Sequence, residues 1–196
     1  CMVIHLTLLP FLKATGELKT KPTQHSVKTM LESGVQPDVL VCRSEHAVDE
    51  DIKRKLALFT NVRQRNVIES RDASTIYEVP LMMYNEKLDE VVLDHFGLAT
   101  KTQPDLDKWR EFLTRLKFPK RTVEIGLIGK YVELKDSYKS ISEAFIHAGA
   151  ANEVEVKVRW IHSEHLTPKN AAKTCQGLDG ILVAPGFGER GFEGKV

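Results

Sequence analysis

The apolar positions of this chain alternate between short β-branched runs and amphipathic stretches. Residues 3–9 (VIHLTLL) form the first run, and residues 39–42 (VLVC) form a second that is apolar throughout. Such runs are expected for buried strands of a parallel sheet. Between them, residues 26–33 predict a helix, with Gly34 at the position that favours a left-handed cap. Residues 49–59 predict another. Asp49, Glu50 and Asp51 crowd its amino end, where the macrodipole favours negative charge, and Ile52, Leu56 and Phe59 share one face. A short strand is expected at 66–68. Two helices at 74–84 and 88–96 follow, interrupted at Pro80 and ended by Gly97.

The pattern changes between residues 99 and 121. A helix opens near Pro104, carries Leu106, Trp109, Leu113 and Leu116 on one stripe, and stops at Pro119. Beyond it the alternation resumes, with strands at 123–128, 153–161 and 180–183 and helices at 137–148 and 168–176. That is β-α-β-α-β, the order of a parallel sheet with crossover helices. The expected organisation is therefore α/β: one parallel-sheet domain in residues 1–98, a linker with an amphipathic helix in 99–121, and a second domain in 122–196. The last part is short against the ~100–150 residues of an ordinary domain.

Composition narrows the function. Hydrophobic residues make up 42% of the 196, enough to bury a core, so wholesale disorder is excluded. With 28 Lys+Arg against 27 Asp+Glu the net charge is +1, which argues against attachment to nucleic acid through bulk charge. The seven Lys/Arg against three acids in 101–121 read as a solvated face. No apolar run reaches the ~20 residues of a membrane span. The apolar first residues lack a basic flank and do not read as a signal peptide. Three cysteines, Cys1, Cys42 and Cys175, stand far apart without a CxxC pair, so neither a disulfide framework nor a zinc site is expected. Cys42 reads as a core thiol, and a reducing, cytoplasmic setting fits.

Four segments carry candidate chemistry. Residues 16–24 (GELKTKPTQ) place Lys19, Lys21, two threonines and Gln24 in a stretch punctuated by Gly16 and Pro22, just beyond a strand. Ligands of parallel sheets bind outside the carboxyl ends of strands. In an extended segment, two ammonium groups two residues apart share one polyphosphate. No Walker A frame is present. Lys53, Arg54 and Lys55 lie on the second helix, and Ser70–Ala73 (SRDA) follow the short strand. Residues 180–191 run from a strand into a loop of three glycines and a proline, whose amides suit a developing oxyanion. Gly126 and Gly129 read as packing glycines. His162 and His165 lack a third ligand for a metal.

These residues resemble the CTP synthase family. GELKTKPTQHS (16–26) carries the resemblance, followed in order by QPD (36–38), CRS (42–44), LALF (56–59), IY (76–77), GKYVELKDSYKS (129–140) and GILVAPGFGERGFEG (180–194). The resemblance implies a central slice: the end of a P-loop-like amidoligase domain, the linker, and the start of a flavodoxin-like class I glutaminase domain. It implies ATP-dependent amination of UTP to CTP, with ammonia from glutamine released through a cysteinyl thioester. It also implies Mg2+ as cofactor, GTP as activator, CTP as feedback inhibitor and a homotetramer. The slice itself is expected to be inactive alone. The metal ligands are expected upstream of residue 1 and the nucleophile downstream of residue 196, so no catalytic residue is assigned within the chain. By the same resemblance the UTP/CTP site takes Lys19, Thr20, Lys21, Pro22, Thr23, Gln24 and Lys55. The ATP site takes Arg71, Asp72 and Ala73, and the glutamine-binding oxyanion loop takes Gly186. Many members carry two adjacent glycines in that loop; here the first is Pro185, which has no N–H to donate. A non-catalytic nucleotide-binding paralogue and a different class I amidotransferase are the alternatives.

Overall fold

A computed structural model of the chain describes residues 1–98, 102–186, 188 and 194–196. Residues 99–101 of the expected linker, and residue 187 and residues 189–193 of the last glycine loop, lie outside the described residues. The chain divides into two units, Cys1–Pro104 and Asp105–Val196.

The first unit is built on three parallel strands, β1 (Ile4–Leu9), β4 (Val39–Ser44) and β5 (Val67–Arg71), in the order β1-β4-β5. Leu9, Ser44 and Arg71 stand in register at one edge. Between β1 and β4 come a small antiparallel hairpin, β2 (Phe11–Leu12) and β3 (Glu17–Leu18), and helix α1 (Lys21–Glu32). The hairpin stands where the sequence offers only a polar stretch punctuated by Gly16 and Pro22. Helix α1 also begins five residues earlier than its apolar pattern indicates, because Pro22 occupies the first turn, where a missing N–H costs nothing. Its carboxyl end is a Schellman motif: Val35 N–H donates to the Met30 carbonyl, and Gly34 N–H, at φ +79°, donates to that of Leu31.

β1 was expected to be a buried strand and is buried on one face only. Thr7 and Leu9 turn toward α1, whereas Ile4, Leu6 and Leu8 are exposed. Central β4 is buried on both faces. Leu40 and Cys42 join Leu9, Val27 and Leu56 in one core, and Val39 and Val41 join Ile68 and Val91 in another. Each fully buried Leu or Val contributes roughly 1.5–3 kcal/mol. Helix α2 (Glu50–Thr60) is capped by Asp49, whose carboxylate accepts from Ile52 N–H at 2.7 Å, and is closed by Asn61 at φ 54°. After β5, a 3-10 turn leads into α3 (Val79–Asn85) and α4 (Leu88–His95). Pro80 opens α3 rather than interrupting a helix. Gly97, at φ +65°, ends α4 as expected.

The second unit opens with α5 (Asp107–Lys117), the helix expected in the linker. It packs on α6 (Lys139–Ala151), with Phe112 5.4 Å from the His147 ring. Three parallel strands follow, β6 (Arg121–Gly129), β7 (Val154–His162) and β8 (Gly180–Val183), in the order β7-β6-β8. Helix α7 (Ala171–Thr174) is shorter than its expected span. Gly126 and Gly129 are packing positions. A Cβ on the first would stand 2.5 Å from Leu178 Cδ1, and one on the second 2.5 Å from the Tyr138 hydroxyl.

Candidate functional site

Parallel strands bring their carboxyl ends to one edge, and each unit has such an edge. In the first unit it holds the hairpin and the start of α1 after β1, residues 45–48 after β4, and residues 72–74 after β5. Strands in a sheet lie about 4.8 Å apart, so segments after β1 and β5 are separated by roughly 10 Å. The sheet therefore brings Lys19–Gln24 and Arg71–Ala73 to a common edge.

The lysines are not aligned in an extended segment, as the spacing alone suggested. Lys19 follows β3, with its N–H donating to the Pro10 carbonyl, while Lys21 is the first residue of α1. The helix offers the N–H groups of Lys21 and Thr23, which have no intrahelical acceptor, beside a positive macrodipole end. Thr20 is buried, and its hydroxyl accepts from Gln24 Nε2 at 3.2 Å. Thr23 is fully buried. Its hydroxyl is 3.0 Å from that of Thr7 and donates to the Leu8 carbonyl at 3.3 Å, so its side chain serves the fold and only its backbone remains for a ligand.

Sequence reasoning missed Glu17. Its carboxylate pairs with Lys19, and Lys19, through hydrogen bonding and charge, holds it below the usual carboxylate range; Lys55 adds to this from α2. Lys19 pairs with Glu17 directly, while Lys55 acts on it only through its charge. Lys53 is set apart: only 14% exposed, it bonds Glu86 Oε2 at 2.8 Å, and the same oxygen accepts from Glu69 N–H. Glu69 in turn accepts from Val48 N–H, which fixes the loop after β4. At the end of β5, Asp72 N–H donates to the Ser44 carbonyl, and the Asp72 carboxylate takes Arg43 Nε at 2.8 Å. That bond raises the Arg43 pKa. Arg71 is exposed, with Glu69 3.8 Å away.

In the second unit the edge is formed by Lys130 and Tyr131 after β6, Ser163–His165 after β7, and Ala184–Gly186 after β8. The buried Tyr138 hydroxyl accepts from the N–H groups of Lys130 and Tyr131 at 2.9 and 3.3 Å. His162 Nε2 is 3.1 Å from Glu133 Oε1, and its ring is 4.7 Å from that of His165. Ala184 N–H is used by the Ile128 carbonyl, and Pro185 has none, so among the described residues Gly186 carries the first N–H of this loop without a partner. Gly186 has φ +150°, and its carbonyl accepts from Lys195 Nζ at 3.2 Å.

The Cys42 thiol is pushed up to about 12 by burial, which keeps it protonated and unreactive. Among the described residues, no group of three or more His, Cys, Asp and Glu is arranged to hold a metal ion. No described helix is long and apolar enough to cross a membrane.

The family model for the CTP synthase N-terminus matches residues 1–98, half of the chain. The chain belongs to the CTP synthase family. A second model, glutamine amidotransferase class-I, matches residues 133–196. The CTP synthase of Flavobacterium johnsoniae is 62% identical over 195 residues, covering 100% of this chain and 36% of the relative. Those of Chloroherpeton thalassium and Methanocaldococcus jannaschii are 57% and 51% identical, covering 98% and 100% of the chain and 35% and 37% of each relative. The chain thus spans about a third of the length of the curated relatives it matches. The match at 1–98 sets the chain apart from other class I amidotransferases, which the second model alone would also admit.

Proposed function

We propose that this chain is a central segment of an enzyme that aminates UTP to CTP. The enzyme would use ATP and the ammonia released from glutamine, in pyrimidine nucleotide biosynthesis in the cytoplasm. The observation that carries the reading is the placement of Lys19 and of Lys21, the first residue of α1, at the amino end of that helix beyond the carboxyl edge of the first sheet. A triphosphate placed there meets two ammonium groups and the free N–H groups of a helix start. In this reading Lys19, Lys21 and Lys55 neutralise the UTP triphosphate, and Thr20, Pro22, Thr23 and Gln24 shape its seat. These residues position the substrate and make no bond to it. Arg71, Asp72 and Ala73, two strands away, contact ATP, which phosphorylates the 4-oxygen of UTP to make a leaving group for ammonia. Gly186 donates to the oxyanion formed when glutamine is attacked. The nucleophilic cysteine of that attack is assigned to another part of the enzyme, since none of Cys1, Cys42 and Cys175 stands in a Gly-x-Cys-x-Gly elbow.

The domain division at residues 98 and 121 belongs to this reading. So do GTP activation, CTP feedback, the tetrameric state and the inactivity of the segment alone. Mg2+ would accompany ATP. Among the described residues no cluster fits it. The exposed apolar face of β1, Ile4, Leu6 and Leu8, supports a domain completed by further chain.

The test is UTP titration of the complete enzyme. Lys19→Ala and Lys21→Ala should each weaken UTP binding about tenfold, the worth of one charge-assisted contact. UTP binding at the unaltered affinity in both variants would remove the site assignment.

A further inference from the structure

Lys195 Nζ lies 3.2 Å from the carbonyl oxygen of Gly186. Two further observations separate this contact from the passing partner of a surface lysine. Gly194, immediately before it, is wedged against backbone. A Cβ there would overlap the Ser163 carbonyl oxygen and stand 2.6 Å from its carbonyl carbon, and Ser163 is buried just beyond β7. The stem of Lys195 therefore starts from a seated residue. Gly186 itself has φ +150°, with no Cβ to limit rotation. Two peptide planes meet at its Cα. Pro185 restricts the chain on one side through its ring, and the ammonium holds the carbonyl on the other. A second cation stands at the same loop, because a Cβ on Gly188 would lie 3.5 Å from Lys130 Nζ.

With Ala184 N–H used by the Ile128 carbonyl and Pro185 without an N–H, the orientation of Gly186 matters. Rotation at Gly186 would turn its N–H away from a developing oxyanion. We propose that Lys195 is a positioning residue for glutamine hydrolysis, holding the Gly186 carbonyl so that the Gly186 N–H stays aimed at the oxyanion of the tetrahedral intermediate. The inference rests on the reading of Gly186 given under Proposed function. Lys195 forms no covalent bond and transfers no proton in this role.

The experiment uses the complete enzyme and compares glutamine-supported with ammonia-supported CTP formation, since added ammonia bypasses the glutaminase site. Lys195→Met keeps the stem and removes the charge. The glutamine-supported kcat should fall about tenfold, less than the ~100-fold or more lost with an oxyanion donor itself. The glutamine KM should stay within about twofold, the pattern of an interaction made mainly in the transition state. The ammonia-supported rate should hold, and Lys195→Arg should recover most of the loss. A wild-type glutaminase rate in Lys195→Met overturns the proposal. An equal fall in both activities also overturns it, because that marks a merely structural contact. Gly186→Ala separates the two levels. If it leaves glutaminase intact, the reading of Gly186 fails. If it is impaired while Lys195→Met is not, only the positioning role fails.

Discussion

The hydroxyls of Thr7 and Thr23 meet at 3.0 Å in the buried seam between β1 and α1. This contact ties the strand that opens the first sheet to the helix that begins inside the proposed phosphate-binding motif. The Thr23 hydroxyl donates onward to the Leu8 carbonyl, so the Thr7 hydroxyl donates to it in turn.

Thr23→Val should therefore act on stability more than on UTP contacts. It leaves the Thr7 hydroxyl buried without its partner, at a cost of about 1–3 kcal/mol. Replacing both residues by Val removes donor and acceptor together, and the double variant should lose less than the sum of the two single variants. Urea unfolding of the three variants measures the coupling. Strict additivity would show that the two hydroxyls do not interact.

In the proposed site, Glu17 would compete with the triphosphate for Lys19. Glu17→Gln should free Lys19 and tighten UTP binding at neutral pH, measured by titration at constant ionic strength. The sign of the pH dependence follows from the lowered pKa of Glu17. Its pairing with Lys19 is present above the ordinary carboxylate pKa and is lost as pH falls through the depressed folded value. The advantage of Glu17→Gln over the parent enzyme should therefore shrink as acid protonates Glu17. Equal UTP affinity of the two proteins at pH 7 would show that Glu17 is a spectator.

The sheet strands were legible because runs such as VLVC leave no other way to bury β-branched side chains. The organisation of the phosphate motif was less so. The polar stretch TKPTQH carries no apolar period, so the first turn of α1 read as loop although Pro22 marks a helix start. Two-residue strands such as β2 and β3 have no pattern to detect. The division of labour between Lys53 and Lys55 was carried by family resemblance. Its physical basis, the half-buried Lys53–Glu86 pair, links residues 33 positions apart. Lys195 escaped notice for the same reason, because its contact with Gly186 is set by the fold; Glu17 lies only two residues from Lys19 and reads as part of a polar stretch.

Cys42 should resist thiol reagents in the native protein. Burial holds its thiol near 12, so almost no thiolate forms at pH 8. Exposed Cys1 should react first and half-buried Cys175 more slowly, with Cys42 labelled only on unfolding. Mass spectrometry after timed alkylation gives the order. Rapid native labelling of Cys42 would mean that the core between β4 and α2 opens readily.

Tyr138 and Gly129 form a lock beneath the second candidate site. The tyrosine hydroxyl accepts from the N–H groups of Lys130 and Tyr131, and it can approach that closely only because residue 129 has no Cβ. Tyr138→Phe leaves both N–H groups without this acceptor and should cost about 1–2 kcal/mol. Gly129→Ala places a methyl 2.5 Å from the hydroxyl and 2.8 Å from the ring carbon that bears it. The ring must then move and the same two bonds are lost, so this variant should be the more destabilised. The two changes act on one contact and should combine sub-additively: once the hydroxyl is gone, the added methyl clashes with less. Because the lock fixes the chain directly after β6, both variants should lower glutamine-supported activity more than ammonia-supported activity in the complete enzyme. Thermal unfolding together with the two assays tests this, and a fully additive double variant would show that glycine and tyrosine act independently.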